Sequence, residues 1–171
     1  MPYISGTHRA WLETPLTDLV EWLGWNFHLM STRDDTFYHV VRRLLSAFYS
    51  KRENEVYPPV DDEKRQMVDK KLFPLIETIK QNPALQEKLN GTLNYTICTI
   101  INALYSKENS KYSDYNNAIG VLETALRETS IDENRRYDAY GMIRCVAFEY
   151  YRRRIAPYEQ DAADANGDIF E

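Results

Sequence analysis

Glycine is scarce in this chain of 171 residues: there are 6, against 13 tyrosines. So few glycines leave little material for tight hairpins or phosphate-cradling loops. No GxxxxGK[ST], no GxGxxG after a strand and no GxSxG is present. The two cysteines, Cys98 and Cys145, are too few for a disulfide framework and are not spaced as a zinc site. His8, His28 and His39 form no HExxH pattern. No apolar run is long enough to span a bilayer. The opening "MPYISGTHRAWLE" has no apolar h-region. The expectation is therefore a cytoplasmic protein with free thiols, no membrane partner and no cofactor.

What is present is helical pattern. Apolar residues make up 43% of the chain and charged residues 27%, with a net charge of -5. That balance supports a real core and argues against a general nucleic-acid coat, which needs a concentrated basic surface. Apolar residues recur every three or four positions, so the expected fold is all-α: a compact bundle of about six or seven helices. We read one domain over 1–171, with lobes 1–56 and 57–171 as the alternative division.

Thr14 and Pro15 suggest a first helix start, ahead of a stripe of Leu16, Leu19, Leu23 and Phe27. Asp34 or Asp35 suggests the next cap, with Val40, Val41, Leu44, Leu45 and Phe48 inward. "KRENEVYPPVDDEK" reads as a charged loop. A third helix is expected over residues 61–81, with Met67, Val68, Leu72, Leu75, Ile76 and Ile79 inward and a kink or restart at Pro74. Asn82–Pro83 opens a short helix that Gly91 ends. "LNYTICTIINALYS" and "DYNNAIGVLETALRE" supply two more.

The last long helix is expected from about Asp132 to Ile155, continued or kinked at Pro157, and central to the bundle. On a wheel of about 100° per residue, Tyr137, Tyr140, Phe148 and Tyr151 flank Arg144, while Val146 and Tyr150 take another side. An arginine cannot shed its charge, so it needs a carboxylate, a phosphate or water. Two readings stay open: an anion pocket with stacking tyrosines, or an arginine paired internally with Glu123 or Glu149. Glu149 is spaced to pair with Arg152 and Arg153. The acidic tail, with Glu159, Asp161, Asp164, Asp168 and Glu171, is expected to meet Arg152–Arg154 of the same or a neighbouring subunit. "DAADANGD" fails the spacing of a calcium loop.

Five short motifs stand in order: "MPYI" at 1–4, "LNYTI" at 93–97, "YNNAIGVLE" at 115–123, "EYYRRRIAPYE" at 149–159 and "NGDIF" at 166–170. In that order they resemble an uncharacterised family of small helical proteins from phages and prokaryotes. Residues 5–92 look divergent from its pattern, and "TALRETSIDENRRYDAYGMIRC" separates two elements that stand closer in the family. The resemblance implies a helical fold and a phage or mobile-element context, hence a host cytoplasm. It carries no catalytic assignment.

Three functions compete. The first is a non-enzymatic, oligomeric protein that binds a small anionic, nucleotide-like ligand and blunts a host defence. Its expected contacts are Arg144, Tyr151, Arg152, Arg153 and Tyr158, with Asn94 and Tyr95 nearby and Asn166 and Asp168 closing the site. The second is an interaction module for a host or phage protein, anchored by Trp11, Trp22 and Trp25. The third is a magnesium-dependent nucleotide hydrolase, for which no carboxylate pair on an apolar face was found.

Overall fold

A computed structural model describes residues 4–27, 30–51 and 62–167. His28, Asp168 and most of the 51–64 loop lie outside the described residues. The fold is all-α. Among the described residues, seven helices of eleven residues or more and one short helical turn follow in order: α1 (Gly6–Asn26), α2 (Arg33–Tyr49), α3 (Asp62–Gln81), the turn α4 (Pro83–Glu87), α5 (Leu89–Leu104), α6 (Tyr112–Glu128), α7 (Arg136–Tyr150) and α8 (Ala156–Asn166). A wide π turn, Tyr151–Ile155, joins α7 to α8. Among the described residues there is no strand, only an isolated bridge between Ser50 and Ile131.

Several helix ends differ from the sequence expectation, each for a local reason. α1 starts before Thr14: Ser5 caps it by accepting from the His8 amide, and Pro15 sits inside. The stripe simply extends back to Leu12, which is fully buried with Leu16, Leu19 and Leu23, whereas Phe27 stays partly exposed. Thr32, not Asp34 or Asp35, caps α2; its hydroxyl accepts from the Asp35 amide at 3.0 Å. The two aspartates occupy the first turn, where the helix dipole favours negative charge. Asn82 caps α4 as expected. Gly91 does not end a helix but lies buried in α5. Pro74 lies inside an uninterrupted α3, and Met67 faces out.

α2 and α5 contribute the largest buried faces. α2 packs on α6 and α3, α5 packs on α7 and α1, and α1 packs on α3. One continuous buried cluster runs through these elements. His39 lies mid-α2, buried, with Nε2 2.8 Å from Asp69 of α3. Arg43 shares that carboxylate at 3.0 Å.

Pro157 explains the π turn. A proline ring clashes with the carbonyl four residues back and offers no N–H. The chain answers by widening: Ala156 N–H reaches the carbonyl of Tyr151 instead. The helix axis therefore continues past the proline, and the arginine run sits on the widened turn.

Candidate anion-binding site

A cavity of about 290 Å³ opens where α5 and α7 pack together, closed on one side by Ile4 and Arg9 of the N-terminal segment. α5 presents Asn94, Tyr95, Cys98 and Asn102; α7 and the π turn present Glu149, Tyr150, Arg153 and Arg154. Three guanidiniums thus face one carboxylate.

That carboxylate is already engaged. Glu149 is buried and accepts from Arg152 at 3.0 Å and 3.2 Å and from Arg153 Nε. The Arg152 hydrogen bonds, and then those of Arg153, hold its carboxyl below the ordinary range against the opposing pull of burial. Arg154 donates Nε to Asn102 Oδ1 at 3.1 Å. Arg9 lies 5.2 Å from the centroid of the Tyr95 ring. Each guanidinium carries five N–H donors, so Arg9, Arg153 and Arg154 keep donors to spare.

Two residues that line the cavity each carry a buried donor with no hydrogen-bond partner among the described residues. The Tyr150 hydroxyl and the Asn94 amide nitrogen are both shut from solvent and unbonded. Tyr150 is 4% exposed. Burial pushes its phenol far above the ordinary range, so it remains an O–H donor at any physiological pH. An unsatisfied buried polar group costs about 1–3 kcal/mol, and such groups in native folds call for a reason. Burial pushes the Cys98 thiol up to about 12, which leaves little of the thiolate form.

The expected site residues divide among three places. Asn94, Tyr95 and Arg153 line the cavity. Tyr151, Tyr158 and Asn166 line a separate, open groove of about 780 Å³ between α6 and α8. There Glu159 accepts from Tyr112 at 2.9 Å and from Tyr151 at 2.6 Å, and the Tyr112 and Tyr158 rings stack. Glu159, one of the tail carboxylates expected to meet the arginine run, meets two tyrosines instead, while Glu149 and Asn102 accept from Arg152, Arg153 and Arg154.

Arg152 pairs with Glu149 at the rim and lines neither space. Arg144 stands apart. It is exposed, has no ion pair among the described residues, and sits in an aromatic stripe that faces solvent rather than the core. Asp168 lies outside the described residues.

Sequence reasoning missed Arg9, which arrives from α1. Arg154 and Tyr150 belong to the "YYRRR" run, and the wheel already set Tyr150 with Val146, on what is the buried side. Among the described residues no group of three or more His, Cys, Asp or Glu is placed to hold a metal. No described helix is long and apolar enough to cross a membrane.

Residues 57–140 match a family model described as a domain of unknown function (DUF6899). The match takes in 57–92, which the motifs placed outside the resemblance, and stops before the "YRRR" segment. No curated protein and no solved structure matches the chain.

Proposed function

We propose that this chain is a non-enzymatic helical protein that holds a small anionic, nucleotide-like ligand in the cavity between α1, α5 and α7. The observation that carries this reading is the convergence of Arg9, Arg153 and Arg154 on one cavity, which Tyr150, whose buried hydroxyl has no hydrogen-bond partner among the described residues, also lines. Spare guanidinium donors suit phosphate or carboxylate oxygens. The Tyr95 ring and Ile101 offer an apolar surface to the rest of the ligand. At about 290 Å³, the space lies at the low end of ordinary ligand cavities, roughly 300–1,000 Å³. A mononucleotide-sized anion is the better fit than a larger one. Tight holding without turnover fits a protein that withholds a host defence signal, and the motif resemblance implies no more than the phage or mobile-element context of such a protein.

Calorimetric titration with inorganic phosphate, mononucleotides, cyclic mononucleotides and cyclic dinucleotides tests it. One of these anions binds the wild-type chain, and Arg154→Ala weakens that binding. Tyr150→Phe keeps or raises the melting temperature of the free protein, since it removes an unsatisfied group, yet weakens binding about tenfold. Ligand recovered intact after incubation with magnesium supports holding. Formation of product, or binding indifferent to both substitutions, sinks the proposal.

A second reading, docking of a host or phage protein, draws on Trp25, which is 83% exposed on α1, and on Phe73, exposed on α3. Pull-down with Trp25→Ala as the control separates it from the first.

A further inference from the structure

The open face of α7 carries an arrangement the cavity does not use. Tyr137 is 90% exposed, Phe148 67%, Tyr140 46% and Tyr151, the first residue of the π turn that follows, 43%. Large rings left this bare in a row are uncommon on a monomeric surface. Their spacing is palindromic. Counted from Arg144, the rings stand seven and four positions before it and four and seven after it. A helix packed antiparallel on its own copy about a two-fold axis brings position 144 − n opposite position 144 + n. With the axis at Arg144, Tyr137 faces Tyr151 of the second copy, and Tyr140 faces Phe148.

We infer that α7 is the interface of an isologous homodimer, in which it packs antiparallel on α7 of a second copy with the axis through Arg144. The steps of three and four residues keep all five side chains on one face over about 20 Å of helix. Gly141 is exposed with open space where a Cβ would stand. It leaves a notch beside Tyr140 in which the ring of Phe148 from the second copy seats.

The area suffices. Rings of this kind bury about 150–250 Å² each. Weighted by their exposure, the four rings supply roughly 500 Å² per copy, on the order of 1,000 Å² for the pair, which is about the threshold for a specific interface. Arg144 has no partner of its own among the described residues, and a guanidinium stacks readily on an aromatic face. Tyr140 of the second copy provides one.

The charge pattern makes the inference sharp. The axis sets Arg144 against Arg144 of the second copy. These like charges weaken the pair, and salt screens them. The dimer therefore tightens as ionic strength rises, the reverse of what an acidic partner protein would do on this face.

Analytical ultracentrifugation of the full chain over a range of concentration and salt tests this. The expected result is a monomer–dimer equilibrium that shifts toward dimer with added salt. Arg144→Leu tightens it about tenfold, and Phe148→Ser weakens it at least about tenfold. Both residues are exposed, so neither change threatens the fold. Geometry is read by oxidative cross-linking beside the wild-type chain. Arg144→Cys couples to itself, while Tyr140→Cys and Phe148→Cys couple only when mixed. A chain that is monomeric at every concentration overturns the inference. So does a dimer indifferent to Phe148→Ser, or self-coupling of Tyr140→Cys equal to that of Arg144→Cys.

Discussion

Arg33, at the start of α2, lies over the ring of Tyr105, at the end of α5, with 4.4 Å between its guanidinium carbon and the ring centroid. The same guanidinium donates to the Leu104 and Asn109 carbonyls and to the Ser110 hydroxyl, and pairs with Asp114 at 3.1 Å. The Tyr105 hydroxyl in turn donates to Asp34 at 2.6 Å. One arginine and one tyrosine thereby fix the α5–α6 connection against the first turn of α2.

The hydroxyl of Tyr105 is buried and its partner is charged, so its removal is costly. Tyr105→Phe destabilises the fold by about 1.5–3 kcal/mol, read as a lower urea midpoint with unchanged slope. Arg33→Ala costs more, because it strips two carbonyls of their donor as well. A midpoint unmoved by either substitution would show that the cluster contributes nothing.

Glu149 sets part of the acid stability. Its folded-state pKa is depressed below the unfolded value, first by the hydrogen bonds from Arg152. The resulting stability is present above the unfolded pKa and is lost as pH falls through the folded one. The wild-type chain therefore loses stability as pH drops from about 5 toward 3. Glu149→Gln lowers stability at neutral pH and flattens that acid limb. Parallel pH profiles for the two proteins would refute the assignment.

Helix α8 has no buried residue of its own. It is held by the Glu159 carboxylate, shared by Tyr112 and Tyr151, and by the Tyr158 ring against Tyr112 and Tyr115. Glu159→Ala speeds amide hydrogen exchange across 156–166 while leaving the melting temperature within about 2 °C. Protection unchanged over that stretch would place the docking energy elsewhere.

The helices themselves were legible in the sequence, because a run such as Leu93, Ile97, Ile100, Ile101 and Leu104 fits nothing but one helical face. Their ends were less so. Ser5 and Thr14 are both good caps, and only the burial of Leu12 decides between them. Within the site, Asn94, Tyr95 and Arg153 were legible from motif chemistry. Arg9 was not, since nothing in "GTHRAWLE" distinguishes it from any solvated arginine.

The hardest choice lay on α7, which has two apolar sides: Ala139, Met142, Ile143, Val146 and Tyr150 on one, Tyr137, Tyr140, Phe148 and Tyr151 on the other. Periodicity ranks both as inward. The sequence by itself determined that this chain forms helices, and that an aromatic-flanked arginine and an arginine run stand near its end. Only the tertiary structure decided which side of α7 meets α5. That contact turns Tyr150 and Glu149 into a cavity wall and leaves Arg144 among its rings in water, because a helix has no inside until a neighbour covers one face.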